Sequence, residues 1–102
     1  MNQQQMMAQV KKMQAEMTRA QEELASMTVA GTAGGGVVSV SMTCEYRVTS
    51  IKVGKDAIDP DDAETLEDLL VVAVNDAVAN AKAATEKRMS SVTGGMRIPG
   101  LM

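Results

Sequence analysis

The chain has 102 residues, ten Lys and Arg against thirteen Asp and Glu, no His, one Cys and one aromatic residue, for a net charge of −3. Without His, nucleophile–imidazole catalysis and His-ligated metal are excluded, and the single Cys44 excludes an intrachain disulfide or a multi-cysteine metal site. The length bounds one domain with a modest core, built from Leu, Val, Ile, Ala and an unusual ten Met, a residue that fills gaps and suits adaptable interfaces. The start is Asn-Gln-Gln-Gln rather than basic then apolar, and no run is long enough to span a membrane, so a cytoplasmic location is expected. No enzyme activity, cofactor or metal is expected.

Residues 2–27 read as one helix. Met6, Val10, Met13, Met17, Ala20, Leu24 and Met27 follow one another at spacings of 4 and 3, the heptad signature of a coiled-coil seam. Charges lie off the seam at pairing distance, Lys12 with Glu16 and Arg19 with Glu22 or Glu23. The seam needs a partner helix, and the second long helix supplies one, in cis or in trans.

Residues 28–36 (TVAGTAGGG) resemble a phosphate cradle only superficially. No Gly-Lys-Ser/Thr follows, and a strand follows instead of a helix. A hairpin turn with positive φ is the better reading. Val38, Val40 and Met42 alternate with Ser39, Ser41 and Thr43, a half-exposed strand. Tyr46–Val53 gives another, with Cys44-Glu45 in the turn; Val48, Ile51 and Val53 do not share a period of 2, which points to a bulge. Val29 belongs to a short first strand. The three strands, over about residues 28–53, make an antiparallel meander with one face to bury.

The second helix is expected over residues 60–93. Asp59 suits the N-cap and Pro60 the first helical position. Asp61, Asp62 and Glu64 complement the helix dipole. The acidic run is not a calcium loop, because Pro60 and a missing central Gly break that pattern. From Leu66 to Ala81 the helix is apolar nearly all round, which predicts burial on most faces; from Lys82 it is polar, which predicts projection. A chain this short can hardly surround such a helix alone, so a partner chain is expected. Gly94-Gly95 ends the helix, and residues 94–102 are expected to form a flexible tail.

Charge is unevenly placed. Residues 1–27 are neutral, residues 28–58 carry +1, residues 59–93 carry −5, and Arg97 adds +1. The totals do not announce a nucleic-acid binder; any such contact needs a local basic patch.

Residues 29–40 (VAGTAGGGVVSV) resemble the V-x-G-x-[AS]-G-x-G-x-V-x-V segment of the YbaB/EbfC nucleoid-associated proteins. Leu66-Glu67-Asp68-Leu69, with Ala73, Asn75, Asp76 and Ala77, is similar to that family's LEDL…A-x-N-D-A. Met89, Val92, Thr93-Gly94-Gly95-Met96 and Ile98-Pro99-Gly100 resemble its closing segment. With the Gln- and Met-rich first helix, the likeness covers nearly the whole chain. Cys44-Glu45 stands where the family often has a Gly turn, and Gly54-Lys55 replaces a frequent Asp-Pro. The resemblance implies an α+β subunit of long helix, three-stranded antiparallel meander and long helix, a single domain over residues 1–93. It also implies an intertwined, tweezer-like homodimer that binds double-stranded DNA at the nucleoid with little sequence preference.

If the two helices run antiparallel, Lys11 and Lys12 share a tip region with Lys82, Lys87 and Arg88, and the capping acids lie at the opposite end. These five are the expected DNA contacts, made to phosphate rather than to bases. Met13, Met17, Leu24, Val38, Val40, Leu66, Leu69, Leu70, Ala73 and Ala77 are the expected core and dimer residues. The alternative is a coiled-coil interaction module whose Met-rich arms hold a protein partner, with DNA association weak or indirect.

Overall fold

A computed structural model describes residues 2–93. Five main elements follow in order, with single 3-10 turns at Gly34–Gly36 and Lys55–Ala57 between them: α1 (Gln3–Ser26), β1 (Thr28–Ala33), β2 (Val38–Thr43), β3 (Val48–Val53) and α2 (Ala63–Thr93). The fold is α+β, and the molecule is elongated, 71 × 27 × 16 Å. The expected tail, residues 94–102, lies outside the described residues.

α1 starts with a reciprocal cap. The Gln5 backbone N–H donates to Asn2 Oδ1 at 2.8 Å, and the Asn2 N–H donates to Gln5 Oε1 at 3.3 Å, which satisfies two otherwise orphaned groups. The chain leaves the helix at Met27, and the Cys44 N–H donates to Met27 O at 3.0 Å, tying the end of α1 to the far hairpin.

The sheet is antiparallel in the order β1-β2-β3. β1 and β2 are joined through Gly34, Gly35 and Gly36, at φ of +62°, +70° and +98°, a left-handed path that glycine follows without steric cost. The expected positive-φ turn is present; β1 extends further than expected and takes in Gly31. β2 and β3 pair with a register shift at Ser41/Met42. The expected bulge absorbs Thr49, so Val48 joins Ile51 and Val53 on one face. In the turn between them Tyr46 adopts φ +67°. Thr43 holds this turn: its Oγ1 accepts from the N–H groups of Glu45 and Arg47 at 3.3 Å.

α2 lies across β1 and β2. Its contact stripe is small: Ala73, Ala77 and Ala81, spaced by four and fully buried, pack on Ala33, Val38, Val40 and Met42. Gly31 makes the close approach possible, since a Cβ there would stand 2.2 Å from Ala77 N and 2.3 Å from Ala73 O. Leu66, Leu69, Leu70, Val74 and Val78 ring this core, half-buried.

Two expectations about α2 change. The helix begins at Ala63, not at residue 60. Asp59 turns the chain instead: its carboxylate accepts from the Asp61 N–H at 2.9 Å and its carbonyl from the Asp62 N–H at 3.0 Å. Pro60 sits inside that turn, where its fixed φ fits equally well. Asp62 does the capping, accepting from Thr65 N–H at 3.3 Å and Thr65 Oγ1 at 2.6 Å; these bonds hold its carboxyl below the ordinary range. Nor is α2 buried on most faces within the chain, because Val71 and Val72 are more than half exposed.

Candidate nucleic-acid interface

The interface is built from the register of the two long helices. α2 runs antiparallel to the α1–β1 stretch, and a series of contacts fixes it. Leu69 lies against Gly34. The Thr32 N–H donates to Asp76 Oδ2 at 2.9 Å, and Asn80 Nδ2 donates to Ala30 O at 2.7 Å. Beyond the sheet, Arg88 Nε donates to Glu23 Oε2 at 2.7 Å and Arg88 Nη1 to Ser91 Oγ at 2.8 Å. Arg88 also holds the Glu23 carboxyl below its ordinary value of 4.5, first by this hydrogen bond and then by its charge, with Arg19 adding a weaker attraction. The pairing of Arg19 with Glu23 expected from spacing is thus displaced by Arg88.

Counting from Arg88 beside Glu23, the last residue of α2 stands level with about residue 18 of α1. The seam responds in kind. Ala20 and Leu24 are buried, at 0% and 5% exposure, and Met13 and Met17 are half-buried. Residues 2–12 are exposed on every side. Met6, Met7 and Val10 keep 56%, 55% and 54% of their surface open. α2 accounts for about 46 Å of the 71 Å length at 1.5 Å per residue, and α1 alone extends the rest. The projecting element is therefore the first half of α1. The far half of α2 is the part expected to project, and it packs beside the second half of α1.

The five expected DNA contacts are not gathered at one point. Lys11 and Lys12 stand on the free part of α1, which carries no carboxylate before Glu16. Lys87 is exposed beside the junction, about 18 Å along the axis from Lys11 and Lys12. Lys82 is exposed nearer the sheet, about 25 Å from them. Arg88 is half-buried and committed to Glu23. The cations thus form a line rather than a tip. The acids Asp56, Asp59, Asp61, Asp62, Glu64, Glu67 and Asp68 lie at the opposite end, around the start of α2, as expected.

Of the expected core residues, Leu24, Val38, Val40, Ala73 and Ala77 are buried, and Met13, Met17, Leu66, Leu69 and Leu70 are half-buried. Sequence reading named Asp76 only within a family motif, without a role, and overlooked Asn80. They bond two backbone groups of β1, the Thr32 N–H and the Ala30 carbonyl, and so tie that edge of the sheet to α2. The available signal was a pair of polar residues inside an otherwise apolar helical run. It also overlooked that Val48 and Ile51, on the face shared with Val40 and Met42, are not covered by α2: both are exposed.

An antiparallel meander backed by one long helix, with the first half of a second helix projecting from it, defines the class of fold. Residues 1–96 match the YbaB/EbfC DNA-binding family, and the chain belongs to that family. It is 47% identical over 97 residues to a nucleoid-associated protein of Chloroflexus aurantiacus, covering 95% of this chain and 97% of that one. It is 49% identical over 100 residues to a nucleoid-associated protein of Desulforamulus reducens, covering 98% of this chain and 95% of that one. Among solved structures, an uncharacterized protein of Helicobacter pylori shares the fold, with a TM-score of 0.67 at 22% identity over 94% of this chain and 97% of that one. No helix among the described residues is long and apolar enough to cross a membrane.

Proposed function

We propose that this chain is a homodimeric nucleoid-associated protein that binds double-stranded DNA with little sequence preference, through cations on projecting helical arms. The observation that carries the reading is the polarity of the molecule. Lys11 and Lys12 stand on a free stretch of helix with no carboxylate before Glu16, Lys87 and Lys82 continue the line, and seven of the thirteen acids collect at the far end. Family membership and the names of the relatives support DNA as the partner and the nucleoid, in the cytoplasm, as the place.

The mechanism is electrostatic. Lysine ammonium groups on a helix exchange condensed counterions for phosphate contacts, which position a duplex without reading its bases. No aromatic residue lies among these cations, so stacking on single-stranded bases contributes nothing. Arg88 acts at one remove: paired with Glu23, it holds α2 against α1 and sets the direction of the arm.

The dimer follows from what one chain leaves open. β1 has two of its backbone groups bonded by Asp76 and Asn80, whereas β3 exposes Val48 and Ile51, and α2 exposes Val71 and Val72. A second copy joining on the β3 side covers these apolar residues and gives the assembly two arms.

Fluorescence anisotropy on two labelled duplexes of unrelated sequence tests the reading. Six to ten phosphate contacts lose about 10³–10⁵ in affinity between 50 and 200 mM salt. The proposal expects equal affinity for both duplexes and a fall of at least roughly a thousandfold over that range. Strong preference for one duplex, or affinity indifferent to salt, contradicts it.

A further inference from the structure

The sheet has two faces, and α2 packs on one of them. Val38, Val40 and Met42 belong to that core, so the residues that alternate with them, and their partners in register, lie on the opposite face. Three rows cross it. In the first, Thr28 pairs with Thr43, and the Thr43 N–H donates to Arg47 O at 2.8 Å. The second is Ala30, Ser41 and Ser50, and the third is Thr32, Ser39 and Lys52. We propose that this outer face is a second phosphate-contacting surface, which takes the sugar–phosphate backbone of double-stranded DNA with Arg47 and Lys52 as its cations. The proposal rests on the DNA reading above and adds a surface on the body to the one on the arms.

Three observations carry the assignment. The first is charge. Arg47 and Lys52 are exposed on the edge strand side, two rows apart, about 13 Å along the strand. Neither forms an ion pair among the described residues. Glu45, in the turn, is the one carboxylate of residues 28–53. In a chain of net charge −3, a face with two cations and no acid in its rows is complementary to a polyanion. The second is donors. The hydroxyls of Thr28, Thr32, Ser39, Ser41 and Ser50 bond nothing among the described residues, whereas that of Thr43 is spent on the turn. Ser and Thr hydroxyls, with Lys and Arg, are side chains that hold phosphate oxygens. The third is what the rows lack. They contain no large apolar or aromatic side chain, the kind that anchors a protein partner. Such residues stand on the other face, at Val48 and Ile51, and a second copy joined there leaves the rows open.

The test separates this surface from the arms. Affinity of the full chain for one duplex is measured between about 50 and 200 mM salt for wild type, for Arg47→Gln with Lys52→Gln, and for Lys11→Gln with Lys12→Gln. The proposal expects the sheet variant to lower the log–log slope by about 1.8 per copy, two phosphate contacts at about 0.9 each, and the loss to add to that of the arm variant. A wild-type slope in the sheet variant, with a reduced slope in the arm variant, overturns the proposal and leaves the arm reading standing. A reduced slope in the sheet variant alone supports the proposal and removes the arms. A wild type that binds no duplex at low salt overturns both. Amide resonances of the wild type give a second readout. Added duplex should shift those of Ser39, Ser41 and Ser50, and shifts confined to the two helices overturn the proposal.

Discussion

The two halves of α1 carry the same heptad and end in different surroundings. In the second half, Ala20 and Leu24 are buried and Glu23 is bonded to Arg88. In the first half, Met6 and Val10 stand open, with Lys11 and Lys12 beside them and no acid. Periodicity announces a face, but a face is buried only as far as its partner extends, and α2 stops short. The contrast also separates two tasks. Small side chains and matched charges fix the helix to the body, whereas long flexible Met and Lys chains populate the part left free.

The largest effect is expected where packing is closest. Gly31→Val places side-chain atoms into the backbone of α2 at Ala73 and Ala77, and should cost about 3 kcal/mol or more in urea unfolding at fixed protein concentration. Next, Ile51→Asp puts a charge at the face assigned to the second copy. It should weaken the dimer by about 3 kcal/mol in sedimentation equilibrium, while circular dichroism keeps the helical signal. A dimer as tight as wild type would remove β3 from the contact.

Val40→Ala should cost about 2 kcal/mol, because Val40 is fully buried. Val10→Ala, the same chemistry on the open half of α1, should change stability by less than about 0.5 kcal/mol. Equal losses at the two sites would erase the distinction between body and arm.

The smallest effect concerns the junction. The Glu23 carboxyl is held below its ordinary value by Arg88. A lowered folded-state value means that the stabilisation is present above the ordinary value of 4.5 and fades as pH falls through the lowered one. Thermal midpoints of Glu23→Gln and wild type should therefore differ slightly at pH 7 and converge as pH falls below the lowered value. A gap that widens on acidification would reverse the assigned sign.

Much of this was legible in the residues. The 4-3 spacing marks the α1 seam, the alternation of Val38, Val40 and Met42 marks β2, and the broken phase of Val48, Ile51 and Val53 marks the bulge. The glycine run marks the first turn. The start of α2 was misread because Asp59-Pro60 satisfies helix-start rules and turn rules alike, and the choice rests on which carboxylate reaches which N–H. The exposure of Val71 and Val72 was hidden by a helix apolar on all sides, since composition does not say which face meets the sheet. For the candidate site, the residue types were legible and their arrangement was not. The line from Lys11 to Lys82 depends on where α2 ends against α1, and that register is set by Glu23 and Arg88, residues 65 apart in sequence.

The central claim is that the free half of α1 grips phosphate, and the salt dependence of binding tests it most directly. Affinity for one duplex is measured from 50 to 200 mM salt for wild type, for Lys11→Gln with Lys12→Gln, and for Lys55→Gln at the acidic end. Each lost phosphate contact lowers the log–log slope by about 0.9. The account predicts a slope reduced by about 1.8 per arm for the double variant, and a wild-type slope for Lys55→Gln. An unchanged slope in the double variant, or an equal reduction from Lys55→Gln, would contradict it.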